Sequence, residues 1–302
     1  MDKIGVVTVT YNSANVVGDF IDCFLKQTYQ NLVLYVVDNC SEDITLSILK
    51  KKDISNIVII KNKTNFGVAK ANNQAINRAF IDDCDQLLLI NNDVTFEKGL
   101  VHKLIKSQKE NNCSLVVPKI MYFKDPDTIW YAGSWFIKNK GYLPLHRGQG
   151  QVDKGQFNQS IEVEYAPTCC LLAKRKVFDD IGLMNEKYFV YFDDTDFSYR
   201  IWKDGSHKMF YCPDIKFYHK VGSLTKSIDF DGKKNYRGNF FIEQNVANHI
   251  YFLRQIGSMF AYLFIIWLFF KNNLRFIIDA QIRKDFSTWW LINKSYFKGI
   301  RM

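Results

Sequence analysis

The chain has 302 residues, a formal net charge of +9, 47% hydrophobic residues and 24% charged residues. These values exclude a disordered, collagen-like or long coiled-coil protein and leave room for two or three domains, or one large α/β unit with additions. The charge is uneven: residues 271–302 hold seven Lys/Arg against two Asp, residues 241–270 are neutral, and 14 of the 47 aromatic residues fall in the last 52.

The first 120 residues alternate short apolar runs with segments of helical spacing. Ile4–Thr10 (IGVVTVT) predicts a buried strand, and Asn15–Gln27 a helix with Val16, Val17, Phe20, Ile21, Phe24 and Leu25 on one face. Leu32–Val37 predicts a second strand. Glu42–Lys52 predicts a helix, with Ser41 as N-cap and Asp43 in its first turn. Ile57–Ile60 predicts a strand, Gly67–Ile81 a helix, Gln86–Ile90 a strand, Glu97–Asn111 a helix and Leu115–Val117 a strand. This rhythm predicts a mostly parallel, doubly wound sheet. Beyond Lys119 the pattern changes to short aromatic strands at Ile129–Tyr131 and Trp135–Ile137, a polar loop at Gly141–Gln159, and a strand opening Ile161–Leu172. A helix follows at Asp193–Trp202, then strands at His207–Tyr211 and Ile215–Tyr218. After about Asn235 the chain turns helical and apolar.

In an open α/β sheet, ligands bind beyond the carboxyl ends of the strands. Those positions hold Thr10-Tyr11-Asn12, then Asp38-Asn39 with Ser41 and Asp43, then Asn65-Phe66-Gly67 with Asn72, then Asn91-Asn92-Asp93. Each alone reads equally as a turn or a cap; four together point to one polar edge. The glycine-rich cradles of dinucleotide and P-loop sites are absent. A diphosphate would then need charge from a divalent cation, and Asp93 stands where a carboxylate could hold one.

A second cluster, YFVYFDDTDFSYR, sets Asp193, Asp194 and Asp196 after an aromatic run, with Arg200 spaced to orient one of them. Such acids also suit a helix N-terminus; the functional alternative is a general base with a raised pKa. His219 follows an aromatic strand. A single His is commonly structural, yet imidazole beside carboxylates suits a Mn-type ion.

These residues resemble the family 2 glycosyltransferases, with the GT-A fold. The matching strings are VTVTYNSANVV, VVDNCSED, KNKTNFGVAKANNQAI, LLLINNDV, VFDDIGLMNEKYFVYFDDTDFSYR and FYHKVGSLT, over about residues 4–225. The NNDV and YFDDTDFSYR strings, and the loop Arg147–Asp153, are similar to the rhamnosyltransferase branch of O-antigen and cell-wall assembly. The resemblance implies a Rossmann-like nucleotide-binding half with a mixed central sheet (residues 1–118) and an acceptor-binding half (119–235); the remaining residues, 236–302, read from their own composition as a helical, membrane-associating extension. It implies that Thr10, Tyr11 and Asp38 hold the base, that Asn12 belongs to the same nucleotide-sugar site, and that Asn65, Gly67 and Asn72 line the ribose and diphosphate. Asn91-Asn92-Asp93 stands in place of the D-x-D motif, so Asp93 becomes the main carboxylate for Mn²⁺ or Mg²⁺, with His219 as a further metal contact. Asp194 corresponds to the catalytic base, with Asp193 in the place of its preceding Glu, and Asp196 and Arg200 fall to the acceptor side.

The implied activity is an inverting, metal-dependent transfer of a sugar, with rhamnose suggested by the branch, from a dTDP- or UDP-sugar to a growing lipid-linked surface polysaccharide (O-antigen, capsule or cell wall). A non-catalytic nucleotide-sugar-binding subunit is the alternative, ahead of a sugar nucleotidyltransferase. Seven cysteines without a C-x-x-C pair, and an N-terminal apolar run of only Ile4–Val9, predict free thiols in the cytoplasm. The run Ile256–Phe270 would reach about 22 Å as a helix, short of the roughly 30 Å hydrocarbon core. With basic flanks at Lys271, Arg275, Arg283 and Lys284, it predicts peripheral attachment to the inner membrane face. The alternative is a helical pair packed on the body or on a second copy as a homodimer. The basic residues adjoin apolar runs and no nucleic-acid motif is present, so no nucleic-acid partner is expected.

Overall fold

The computed structural model describes residues 1–51, 56–222, 238–278 and 285–302. The expected boundary near residue 235 lies outside the described residues, as do Lys52, Arg283 and Lys284.

Twelve strands and nine helices are described. The strands are β1 (Ile4–Thr10), β2 (Leu32–Asp38), β3 (Ile57–Lys61), β4 (Gln86–Ile90), β5 (Val94–Phe96), β6 (Leu115–Tyr122), β7 (Ile129–Tyr131), β8 (Phe136–Ile137), β9 (Leu143–Pro144), β10 (Ile161–Val163), β11 (Cys170–Lys174) and β12 (Met209–His219). The helices are α1 (Val17–Leu25), α2 (Thr45–Lys51), α3 (Val68–Ile81), α4 (Leu100–Glu110), α5 (Arg175–Ile181), α6 (Asp193–Asp204), α7 (Asn239–Ile256), α8 (Met259–Ile278) and α9 (Phe286–Arg301).

The sheet is mixed. Its order is β10-β12-β6-β11-β4-β1-β2-β3, with β5 on β12 and β7 on β6. The block β3-β2-β1-β4 is parallel, as the βα rhythm predicts. However, β6 does not lie beside β4: β11 runs antiparallel between them. Helical spacing tells that a crossover occurs, not which strand it lands beside, and a late strand closed the gap. The segment Ile161–Leu172 yields two separate strands, and the two strands expected around Pro213 are one, carried past the proline by a bulge between Cys212 and Lys216. Ser41 is no N-cap: its hydroxyl accepts from the Asn12 N–H at 2.9 Å, while an Asp43 oxygen accepts the Thr45 N–H at 3.0 Å.

Strands β1, β2, β4 and β6 are almost wholly buried and anchor the main core together with α3 and α4. A second core joins Tyr188 and Phe192, just before α6, to Ile250–Leu253 of α7, Ala261 and Ile265 of α8, and Tyr296 of α9. The C-terminal helices are thus packed onto the loop that leads into the acidic cluster. Helices α7 and α9 cross tightly, since a Cβ on Gly299 would meet Ile250 Cβ at 2.8 Å. All seven cysteines are free thiols.

Helix α8 is longer than the apolar run suggested. Its 20 residues reach about 30 Å, because the helix continues past Lys271 and Arg275. It is long and apolar enough to cross a membrane, and few of its residues are buried. Tyr262, Leu263, Ile266, Trp267, Phe270 and Leu274 are all exposed, and at 100° per residue they fall on one face.

Candidate active site

The parallel strands deliver their ends to one edge. The Thr10 hydroxyl, ending β1, donates to Asp38 Oδ1 at 2.9 Å at the end of β2, and the Ser41 N–H donates to Asp38 Oδ2 at 3.0 Å. Asp38 is buried, so its carboxylate orders the β1 and β2 loops as well as facing them. Asn12 joins the same two loops, its Oδ1 accepting the Glu42 N–H at 2.9 Å. Tyr11 is 46% exposed and offers a free ring face.

Asn39 and Asn65 build the turn before α3. The Asn39 amide donates to Asn65 Oδ1 (2.7 Å) and to the Gly67 carbonyl (3.1 Å), and its own oxygen accepts from the Phe66 N–H (3.0 Å). Gly67 has φ +83°, and a Cβ there would stand 2.8 Å from Phe189 Cα. The adjacent Val68 N–H donates to the Phe189 carbonyl at 2.6 Å. Only glycine lets the N-terminus of α3 approach the 188–192 loop this closely. Asn72 is buried one turn into α3.

Residues Asn91-Asn92-Asp93 link β4 to β5. The Asn91 N–H donates to the Cys169 carbonyl at 3.1 Å, and the buried Asn92 amide donates to the Val9 carbonyl. Because β5 pairs antiparallel with the end of β12, His219 faces Val94, next to Asp93. The Lys220 N–H donates to the Asp93 carbonyl at 2.8 Å, and His219 Nε2 lies 3.4 Å from Asp93 Oδ1. Among the described residues, buried His219 Nδ1 and Asn92 Oδ1 find no hydrogen-bond partner. A carboxylate, an imidazole and an amide oxygen fit a hard or borderline divalent cation. Among the described residues no three His, Cys, Asp or Glu side chains gather as a metal cage, so the remaining ligands would come from substrate oxygens or water.

The acidic cluster divides into three environments. Asp196 is buried and paired internally, with Arg200 Nε at 2.8 Å and the Tyr188 hydroxyl at 3.4 Å. Arg200 also donates to the Ile181 and Leu183 carbonyls, so this pair braces α6 against the chain before it. Asp193 is buried, and burial first, then the Asp194 charge, push its carboxyl far above the ordinary range. Asp194 is half-buried. The Tyr165 hydroxyl donates to its Oδ2 at 2.8 Å and Thr195 Oγ1 to its Oδ1 at 3.2 Å, and burial raises its pKa despite these donors. Burial first, then the charges of Cys170, Asp93 and Asp194, push the Cys169 thiol well above its ordinary range.

Sequence reasoning missed several members of this site. Trp130 packs edge-on against His219 (4.9 Å) and His146 (4.5 Å), and His146 stacks on Tyr165 (5.9 Å, 25°). Asn248 of α7 donates to the Val190 and Tyr191 carbonyls at 2.9 and 3.0 Å. These residues come from antiparallel strands, loops and the C-terminal helices, which the rule of parallel strand ends does not address. Asn39 did lie at a strand end, and its amide hub was readable only as a turn former.

Comparison with known proteins gives a consistent result. The model of "Glycosyl transferase family 2" matches residues 5–182. The dTDP-rhamnosyl transferase RfbF of Shigella flexneri is 27% identical, covering 75% of this chain and 72% of its own length. The UDP-Glc:alpha-D-GlcNAc-diphosphoundecaprenol beta-1,3-glucosyltransferase WfaP of Escherichia coli is 30% identical, covering 67% and 69%. The crystal structure of S. aureus TarS 1-349 in complex with UDP-GlcNAc is similar in fold, with a TM-score of 0.61 over 98% of this chain and 81% of that one, at 17% identity.

Proposed function

The chain belongs to glycosyl transferase family 2, and on that premise we propose that it is an inverting transferase that moves a sugar from a dTDP- or UDP-sugar to a lipid-linked saccharide. It is a glycosyltransferase with the GT-A fold, acting on nucleotide sugars for cell-surface glycans. The observation that carries the finer reading is Asp194: a half-buried carboxylate whose Oδ2 accepts from the Tyr165 hydroxyl at 2.8 Å.

In this reading the exposed Tyr11 ring stacks on the base, while Thr10, Asn12 and Asp38 order the loops around it. Asn65, Gly67 and Asn72 line the ribose and diphosphate, with Asn91 and Asn92 beneath. Asp93 and His219 would hold Mn²⁺ or Mg²⁺. When bound, such a cation supplies positive charge beside the departing diphosphate. Asp194 takes the proton of an acceptor hydroxyl, and the freed oxygen attacks the anomeric carbon from the face opposite the nucleoside diphosphate, so the configuration inverts. The internal pairing of Asp196 with Arg200 makes their contribution to the acceptor side one of bracing α6 rather than of direct contact.

Rhamnose as the sugar, and a diphospholipid acceptor, draw support from the names of the Shigella and Escherichia relatives. Attachment to the cytoplasmic membrane face draws support from the exposed apolar face of α8 and from a groove of about 570 Å³ beside α9, lined by Trp290 and Phe297 with Lys294, Lys298 and Arg301. Aromatic and cationic groups side by side suit an anionic lipid surface.

The test is a screen of dTDP-rhamnose, UDP-galactose, UDP-glucose and UDP-GlcNAc, with and without Mn²⁺ or Mg²⁺, reading nucleotide release and product anomer. Asp194→Asn should abolish transfer while donor binding survives. An active Asp194→Asn variant removes Asp194 from the base role; binding without turnover of any donor favours the non-catalytic subunit.

A further inference from the structure

We propose that Tyr165 is a positioning residue that makes Asp194, rather than its neighbour Asp193, the ionised member of the pair. The inference rests on the reading of Asp194 as the base, and adds what selects it.

Two adjacent carboxylates at one helix start cannot both be charged cheaply, because the Asp194 charge raises Asp193 and burial raises both. They share protons as a unit, and a difference in environment decides which one gives its proton up first. Tyr165 supplies that difference. Its hydroxyl reaches Asp194 Oδ2 at 2.8 Å, and a donor to the charged form favours that form. Among the described residues no side chain donates to Asp193.

The donor is fixed in place. Tyr165 is buried. Its carbonyl accepts from the Tyr131 hydroxyl at 2.6 Å, and its ring stacks on His146 and meets Phe136 edge-on. Burial and the Asp194 charge hold its own phenol protonated well above the usual range, so it remains a donor at working pH. The other groups near Asp194 are acidic or neutral: Asp193 beside it on α6, whose carboxyl it raises, and the Cys169 thiol, on which both Asp194 and Asp93 act. Arg200 is committed to Asp196. No other side chain among them provides what the Tyr165 hydroxyl provides, apart from the longer bond from Thr195.

The experiment is the pH profile of kcat/KM, from pH 5 to 9, for Tyr165→Phe in the full chain. The acid limb should move up by about one to two pH units, so that transfer near pH 6 falls more than transfer near pH 8.5, by at most about ten- to a hundredfold. Affinity for the nucleoside diphosphate should stay within twofold. A uniform fall at every pH, or an unshifted limb, overturns the proposal. Failure of the underlying reading looks different, since then Asp194→Asn itself would be active. Carboxyl ¹³C NMR of the wild-type chain, with Asp194 assigned by its loss in Asp194→Asn, tests the same point without the Tyr165 variant. Asp194 should ionise at lower pH than Asp193, and the reverse order overturns the proposal.

Discussion

The 188–192 loop is the support of the acidic cluster, and Asn248 should be the residue that fixes it. Tyr191 and Phe192 both have φ of +66°, a left-handed conformation that costs non-glycine residues on the order of 1–3 kcal/mol each unless the surroundings impose it. Asn248 is buried and directs its amide hydrogens at this loop, to Val190 O and Tyr191 O. The next residue, His249, stacks on Phe192 at 5.4 Å and lies 2.9 Å from the Gly141 carbonyl. Asn248→Ala removes its donor from two carbonyls, at about 1–3 kcal/mol each where the acceptor is left buried and unsatisfied. Partial relaxation of the loop should hold the net cost to roughly 2–4 kcal/mol, a fall in Tm of about 3–6 °C for a chain of this size. Displacement of Asp194, two residues past the strained pair, should lower kcat about 10- to 100-fold. Asn248→Asp should be worse than Asn248→Ala, because it points an acceptor at two acceptors. Thermal unfolding by circular dichroism and initial transfer rates check both figures. A wild-type melt and rate for Asn248→Ala, or an Asn248→Asp variant no worse than Asn248→Ala, would refute donation to this loop as its support.

Three further outcomes are expected. Gly67→Ala should lose nucleotide binding at least tenfold and lower the Tm, measured by calorimetry and melting, because the backbone is at φ +83° and the new methyl meets Phe189; unchanged affinity would show that the α3 turn tolerates the shift. Asp193→Asn should change stability with pH in a set direction. The Asp193 carboxyl is pushed up to about 8 by burial first and then by Asp194, so the folded state holds this proton more tightly than the unfolded chain. That stabilisation is complete below the ordinary carboxyl pKa and is lost as pH rises through the folded value. The variant should therefore melt progressively higher than wild type between pH 5 and pH 8.5, by at least about 1 kcal/mol at the alkaline end; a gap that is flat or shrinks contradicts the buried assignment. Ile266→Glu with Phe270→Glu, on the exposed face of α8, should reduce sedimentation with anionic phosphatidylglycerol vesicles at least tenfold, and equal partitioning would remove that face from membrane contact.

The parallel half of the fold was legible because β1 and β4 are β-branched or leucine runs buried on both faces, and such runs stand out against the turns around them. Strand β5, three residues long, carries no period to read. The place of β11 between β4 and β6 depends on non-local pairing, which local pattern does not encode. Pro213 looked like a strand end; a bulge absorbs it, so β12 runs on and brings His219 to Asp93. Among the site residues, those at parallel strand ends were legible one at a time, because chemistry and position coincide there. The split of the acidic cluster was not, since Asp193, Asp194 and Asp196 are nearly identical in sequence context. Their environments differ only through partners such as Tyr165 and Arg200. The end of α8 was misjudged because Lys271 and Arg275 look like a boundary. On the helix they flank the apolar face, and Lys271 lies over the Trp267 ring at 4.3 Å, so the charges border the face without ending it.

The uneven charge of the chain suggests a body with a basic, aromatic appendix, but the packing argues against two independent parts. Helix α7 lies between the exposed helix α8 and the 188–192 loop that leads into the acidic cluster. On one side it shares a core with Ala261, Ile265 and Tyr296; on the other its Asn248 and His249 hold Val190, Tyr191 and Phe192. The second core would not exist without residues from both parts, since Tyr188 and Phe192 supply its body side. Support for Asp194 therefore comes from the same three-helix unit that presents the apolar face. A surface that engages α8 acts on the unit that also holds the 188–192 loop, and a change in how α7 sits reaches that loop through Asn248, through His249 and through the Tyr188 and Phe192 side of the shared core.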